Sequence, residues 1–429
     1  MNIHIHTFGC RLNQYESEKI SFELKNMGAN ITELKNADAI AINTCTVTND
    51  SDKKLINYLD KLENISQKKI FLIGCYVSKK ENIIKENSKE ENLFDKENIT
   101  IIPNDKKEEA SQIIFNTLTK NYESEFKNPI FFPQEQSRAY LKIQDGCEVF
   151  CSYCIVARVR GKHKSVEPKK IYDAIKIAYE YGYKEIVLTG LNLGSYNYNN
   201  EIKFIQIVKN MLEISSKFGI RIRLSSIEPI YFNDELISLF KNSEVLCPHA
   251  HIPLQSGSDK ILKLMNRRYT RENYLNIVEK LYKTNSNIGI SADIMVGFPN
   301  EDSNDFKDTY NLCEKSKFIK MHIFRYSNRE NTPSSKMSNQ IGYRTKLKRA
   351  KLLNELNNKM KDDFYKNAIN RELKVIAEKK LENNYYIGTS GEYLKVKFKS
   401  EKIIEKKDII KVKAIKYEDN IIIGEAKNG

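Results

Sequence analysis

Six of the eight cysteines in this 429-residue chain are spaced as two sets of three. Cys147, Cys151 and Cys154 lie within "DGCEVFCSYC", a C-x3-C-x2-C spacing. Cys10, Cys45 and Cys75 stand in "HTFGCRLNQYESE", "AINTCTVTNDSDKK" and "LIGCYV". Three thiols cannot pair evenly as disulfides, and structural zinc ordinarily takes four protein ligands. A four-iron cluster held by three thiolates leaves one iron open to a small molecule. The number three therefore points to clusters that do chemistry. The alternatives are zinc or a chance core grouping for the first set, and buried thiols capping strands for the second.

Positioning such groups needs a layered fold. Up to about residue 120, strand-length runs ("IHIHTFG", "ADAIAINT", "KKIFLIG") alternate with stretches of helical spacing, which predicts α/β layering. Each strand candidate runs up to a cysteine, and parallel strands share one C-terminal edge, so Cys10, Cys45 and Cys75 can converge there. A polar connector, "KNYESEFKNPIFFPQEQSR", follows. From Ala139, six runs ("AYLKIQDG", "EIVLTGLN", "RIRLSSIE", "HAHIPLQ", "GISADIMVG", "KMHIFRYS") alternate with helical patterns, one with Ile171, Ala174, Ile175 and Ala178 on a single face. Six βα repeats suggest a partial (β/α) barrel with its chemistry at the strand C-termini. Tyr343 to Tyr365 is expected to be a basic helix with Leu347, Ala350, Leu353 and Met360 inward. Short strands after it predict a small all-β barrel. The expected domains are 1–120, 137–366 and 369–429.

The chain carries a net charge of +14. From Arg344 onward, 22 Lys and Arg face 13 Asp and Glu, so the excess is concentrated in the last fifth, which suggests a polyanion partner. No apolar run reaches membrane-spanning length, and the start does not read as a secretory signal. A cytoplasmic location, no membrane association and reduced thiols are expected.

The C-x3-C-x2-C motif after the first strand of a βα barrel resembles the radical S-adenosylmethionine (SAM) enzymes. The resemblance implies that the open iron chelates SAM, whose reductive cleavage gives methionine and a 5′-deoxyadenosyl radical. It makes Cys147, Cys151 and Cys154 the catalytic set and Tyr153 its accompanying aromatic. Gly190 in "LTGLNLG", Ser225 and Glu228 in "SSIEP", and Val296 and Gly297 in "DIMVGFPNE" resemble the family's SAM-binding strips.

With the N-terminal triplet added, the whole chain resembles the methylthiotransferases. The implied fold is a Rossmann-like cluster domain, a partial (β/α)6 radical SAM barrel and a C-terminal all-β TRAM barrel. The implied cofactors are two [4Fe-4S] clusters and SAM, with Cys10, Cys45 and Cys75 on the sulfur-supplying cluster. A tRNA substrate, a reducing donor such as a flavodoxin or ferredoxin, and a monomer are expected.

Among the family's types, "GCRLNQYESE" and "NTCTVTN" look like the one acting on N6-threonylcarbamoyladenosine in tRNA. The isopentenyladenosine and ribosomal-protein types usually read differently after the first cysteine. Glu148 stands where the family commonly has Asn, and Ala157 and Arg158 depart from its Pro-aromatic pattern. Arg160 and the basic C-terminal segment are expected to hold tRNA phosphates, with Tyr385, Tyr386 and Phe398 as stacking surfaces or barrel core. Cys247 and Cys313 read as core thiols, and His249 and His251 as hydrogen-bonded interior groups. The alternative from another class is a non-catalytic RNA-binding iron–sulfur redox sensor, which would not cleave SAM.

Overall fold

The computed structural model describes residues 1–9, 11–46, 49–63, 68–78, 97–119, 132 and 136–427. The chain forms two compact units, the first built from residues 1–133, 145–163 and 327–336, the second from the remainder.

In the first unit five strands form one parallel sheet: β1 (Asn2–Thr7), β2 (Asn30–Ile31), β3 (Ala39–Thr44), β4 (Lys69–Gly74) and β5 (Ile99–Ile102), in the order β2-β1-β3-β4-β5. Strands buried on both faces need continuous apolar runs, and every residue of β3, "AIAINT", is buried. Ala39 and Ala41 pack on one face with Leu24, Phe71 and Ile114, while Ile40 and Ile42 pack on the other with Leu55, Leu59 and Leu72. This is the expected Rossmann-like layering. The apolar periodicity does not single out β2 or β5, one only two residues long and the other four.

The second unit holds six further parallel strands: β6 (Ala139–Lys142), β7 (Glu185–Thr189), β8 (Arg221–Leu224), β9 (His249–His251), β10 (Gly289–Val296) and β11 (Lys320–Arg325). They run in sequence order as two three-stranded halves joined by the parallel bridge Ser226–His251. Helices intervene, and Pro168–Glu180 buries the expected Ile171, Ala174, Ile175 and Ala178. Thr270 and Asp302 close capping boxes on Asn273 and Asp305, which fixes where two of these helices begin.

The helix Tyr343–Lys366 forms where expected and buries the expected Leu353 and Met360, but its N-terminal half departs from the expected face. Arg349 turns inward to Glu301 at 2.5 Å, so Leu353, Leu356 and Met360 follow it while Leu347 is 43% exposed and Ala350 half-buried. Beyond it lie β12 (Glu372–Lys380), β13 (Tyr385–Ser390), β14 (Lys395–Lys399), β15 (Ile409–Glu418) and β16 (Ile421–Ala426). They close a barrel in the order β12-β13-β14-β16-β15. Tyr386 and Phe398 stack on each other inside it at 5.6 Å, so they are core and not base-stacking surfaces. Tyr385 is half-buried, with Lys397 Nζ 4.9 Å from its ring centre.

Buried charge joins the two barrels of this unit. Glu185 is fully buried and receives Arg138, Arg221 and Arg223 at 2.9, 2.6 and 2.7 Å. Arg221 also donates to the carbonyls of Lys374 and Thr389, and Arg223 to those of Gly391 and Ser390. Burial alone would raise the Glu185 pKa, but the three guanidinium groups hold it far below the usual carboxylate range. Among the described residues no helix is long and apolar enough to cross a membrane.

Candidate iron–sulfur sites

The sheet of the first unit delivers Cys45 and Cys75 side by side. Thr44 and Gly74 pair in register at the ends of β3 and β4, and each cysteine is the next residue. Both are buried. Side chains pin the backbone beneath them. Thr44 Oγ1 donates to the Ile73 carbonyl at 2.7 Å, and Asn13 Nδ2 donates to the carbonyls of Phe8 and Thr44, both at 2.9 Å. Gly9 has φ +103°, and a Cβ there would stand 2.5 Å from the Cys45 Cβ. Only glycine lets the chain pass this thiol so closely. Cys10 follows Gly9 in sequence and lies outside the described residues.

The segment 145–163 closes on itself. Cys147 N donates to the Gly161 carbonyl at 3.3 Å, and a Cβ on Gly146 (φ +74°) would fall 2.0 Å from the Lys162 carbonyl oxygen. Cys154 N donates to the Cys151 carbonyl at 3.0 Å, forming the turn around the half-buried Tyr153. Phe150 has φ 51°, a left-handed conformation costing about 1–2 kcal/mol in a non-glycine residue. Cys147, Cys151 and Cys154 are all half-buried. Desolvation first, then the charge on Cys151, pushes the Cys154 thiol up to about 12. Such soft ligands suit an iron–sulfur group, and metal coordination deprotonates a thiol that solvent would not. Glu148 is exposed and accepts from His163 N at 3.4 Å, while Ala157 is buried and Arg158 exposed in the helix Val156–Val159.

Arg160 caps that short helix and reaches the other triplet. With its side chain 4% exposed, it donates Nε to Cys75 Sγ at 3.2 Å. Its Nη1 donates to Glu16 at 2.8 Å and its Nη2 to Asn13 Oδ1 at 2.9 Å. The expected phosphate-binding role is thus corrected: every nitrogen of this guanidinium has a partner inside the unit. Lys107 Nζ lies 2.5 Å from the same Glu16, and burial lowers its pKa although Glu16 opposes the shift. Burial also opposes the charge on Arg160, and Glu16 and Cys75 outweigh it. Two buried cations thus face the buried Glu16 and the half-buried Asp145, which lies 3.4 Å from Arg160 Nη1, and Arg160 turns an N–H donor onto Cys75 Sγ. An anionic iron–sulfur group fits this pocket.

Further contacts tie the first unit's segments together. Ile155 and Val159 pack on Cys75, and Asn104 Nδ2 donates to the Val159 carbonyl at 2.7 Å. Arg329, from the third segment, reaches Asp52 at 2.9 Å and Thr46 Oγ1 at 2.6 Å, one residue beyond Cys45. Ser334 N donates to the Ser152 carbonyl at 2.9 Å. Nothing in the sequence pattern marks Lys107 or Arg329 as neighbours of the cysteines. Asn13 and Glu16 carry a weak signal: they follow Cys10 closely, and their i, i+3 spacing puts them on one helix face.

In the second unit the strip residues gather at the C-terminal ends of parallel strands. Gly190 follows β7, and a Cβ there would stand 2.9 Å from Gln144 Oε1. Ser225 follows β8 and donates its N–H to the Leu188 carbonyl at 3.2 Å. Glu228 pairs with Arg267; burial raises its pKa while the guanidinium opposes. Val296 ends β10, its carbonyl accepting from Tyr326 N at 2.9 Å, and Gly297 N donates to Glu301 Oε1 at 2.9 Å.

His249 and His251 both reach Ser291 Oγ, at 3.1 and 2.9 Å, and are hydrogen-bonded as expected. His251 also lies 3.3 Å from Asp293, which pairs in register with His322, a polar row that strand alternation alone does not assemble. Cys247 and Cys313 are buried free thiols whose pKa values burial raises.

Comparison with known proteins matches residues 141–313 to the radical SAM superfamily and residues 2–96 to the uncharacterized protein family UPF0004. The chain is 34% identical to the threonylcarbamoyladenosine tRNA methylthiotransferase MtaB of Bacillus subtilis, over 96% of this chain and 93% of that one. It is 36% identical to the tRNA-2-methylthio-N(6)-dimethylallyladenosine synthase of Clostridium tetani, over 89% and 86% respectively. Among solved structures, the radical SAM methyltransferase TsrM of Kitasatospora setae aligns with a TM-score of 0.56 at 9% identity, covering 78% of this chain and 76% of that one. That likeness is one of fold.

Proposed function

We propose a substrate and a reaction for this chain from one premise: it belongs to the radical SAM methylthiotransferase family. It is a tRNA-modifying enzyme. In our reading it methylthiolates carbon 2 of N6-threonylcarbamoyladenosine at position 37, beside the anticodon, giving 2-methylthio-N6-threonylcarbamoyladenosine.

The observation that carries the substrate is the set of three threonylcarbamoyladenosine relatives, 32–34% identical over 91–96% of the chain. Coverage alone does not decide it: the Bacillus relative matches 96% of the chain and the Clostridium dimethylallyl relative 89%, but an Aquifex threonylcarbamoyladenosine relative and a Pelagibacter dimethylallyl relative each match 91%. Identity does not separate the Bacillus and Clostridium relatives, at 34% and 36%. The residues after the first cysteine, "GCRLNQYESE", support the same choice.

The C2–H bond is neither acidic nor open to nucleophiles, so its replacement calls for a radical. When bound at Cys147, Cys151 and Cys154, a [4Fe-4S] cluster supplies the reductive cleavage of SAM that provides one. We assign Tyr153, Gly190, Ser225, Glu228, Val296 and Gly297 to holding SAM, and Cys10, Cys45 and Cys75 to a second [4Fe-4S] cluster that is the sulfur source. A second SAM is the methyl donor. The electron donor is of the flavodoxin or ferredoxin kind, and the chain acts as a monomer divided into functional domains at 1–120, 137–366 and 369–429. The test is mass spectrometry of tRNA nucleosides from cells with and without the protein. Loss of the methylthiolated threonylcarbamoyl nucleoside, with accumulation of its precursor, is expected. Loss of the isopentenyl analogue instead overturns the substrate.

A further inference from the structure

We infer that Arg160 is a positioning residue for the N-terminal cluster, by which the segment bearing one cysteine triplet sets the electronic environment of the other. The inference rests on our reading that Cys10, Cys45 and Cys75 hold a cluster. Arg160 lies six residues after Cys154 in the chain, yet its Nε donates to Cys75 Sγ at 3.2 Å. Its remaining nitrogens are locked by Glu16 and Asn13, at 2.8 and 2.9 Å, and Asp145 accepts from Nη1 at 3.4 Å. Ile155 and Val159 of the same segment seal Cys75 in apolar contact. A guanidinium held this way cannot swing to another partner without leaving Glu16 buried beside a broken ion pair.

A cationic donor on a ligating sulfur withdraws electron density and stabilises the more negative, reduced state of a cluster, which raises its potential. Glu16 acts in the opposite sense, since its carboxylate neutralises both Arg160 and Lys107. The pair therefore balances the charge felt at Cys75. This gives a test with a sign. Removing the arginine charge should lower the potential, and removing the glutamate charge should raise it. A role confined to packing would not produce opposite shifts.

The full chain carrying Cys147→Ala, Cys151→Ala and Cys154→Ala isolates the N-terminal cluster, whose midpoint potential is read by titration with electron paramagnetic resonance. In that background Arg160→Gln should shift the potential negative, Arg160→Lys should restore part of it, and Glu16→Gln should shift it positive. Should Arg160→Gln fail to fold, Glu16→Gln still gives the sign of the charge effect, with Arg160→Lys as the charge-conserving control. Loss of cluster iron in folded Arg160→Gln protein, with retention in Arg160→Lys, also supports the assignment. Equal potentials in all chains, with the cluster present, overturn it. No four-iron cluster in the Cys147→Ala, Cys151→Ala, Cys154→Ala chain with Arg160 intact overturns the underlying two-cluster reading instead.

Discussion

At the scale of single residues the two triplets should fail differently. In the proposed assignment Cys147→Ala, Cys151→Ala or Cys154→Ala removes a ligand of the SAM-binding set, so 5′-deoxyadenosine production and tRNA thiolation should both vanish. Cys45→Ala or Cys75→Ala should leave deoxyadenosine formation measurable and abolish thiolation, with reconstituted iron falling by about half given one four-iron cluster per triplet. Native-rate thiolation by the Cys45→Ala chain would return these cysteines to ordinary strand-end thiols. The two triplets drew attention in the sequence because thiol number and spacing limit coordination chemistry directly. Arg160 and Lys107 did not, because a lone basic residue in sequence reads as surface charge. Only the fold shows that Arg160 is buried against Glu16, Asn13 and Cys75.

Elements give the positions their rigidity. Gly146 brings the two ends of the 145–163 segment within hydrogen-bonding range, and a Cβ there would strike the Lys162 carbonyl. Gly146→Ala should therefore lose cluster iron at Cys147, Cys151 and Cys154 before global stability falls; iron analysis beside a thermal melt checks this.

The strands and barrel helices were legible because a parallel sheet and an amphipathic helix impose distinct apolar periods. The N-terminal half of Tyr343–Lys366 was not, since the buried Arg349 there breaks the hydrophobic pattern.

Glu185 makes a stronger demand. Glu185→Gln leaves the buried Arg221 and Arg223 without their carboxylate, while Arg138 keeps Glu378 at 2.7 Å, and should cost about 3–5 kcal/mol. Because its folded pKa is depressed, wild-type stabilisation from Glu185 is full above the unfolded value of about 4.3 and declines as pH falls through the folded one. Calorimetry should show the variant's deficit at pH 7 narrowing at strongly acid pH.

For the molecule as a whole, the basic excess of the last fifth acquires a face. On β14 and β15, Lys395, Lys397, Lys399, Lys411 and Lys413 alternate with the buried Val396, Phe398, Val412 and Ala414, so the lysines point outward. Replacing Lys397, Lys399, Lys413 and Lys416 with glutamine should weaken tRNA binding. The slope of log affinity against log salt should also flatten, by about 0.7–0.9 for each phosphate no longer neutralised. Filter binding over a salt series measures both, and an unchanged slope would mean the face is only solvated. Deleting residues 371–429 would be a poorer experiment. It strips the carbonyl partners of Arg221 and Arg223 and would unfold more than it unbinds.

The first unit is drawn from three separated stretches of chain, and that discontinuity sets a clock during translation. Arg160 must emerge before Cys75 gains its charged neighbour, and Arg329 before Thr46 and Asp52 gain theirs. Between residues 133 and 336 a ribosome working at about 5–20 residues per second takes roughly 10–40 s. During that interval the N-terminal sheet is already synthesised while its thiols lack their final surroundings. With the proposed cluster at these thiols, iron delivered to the nascent chain would meet an unfinished pocket, and loading would be expected only after the last of the three stretches has left the exit tunnel.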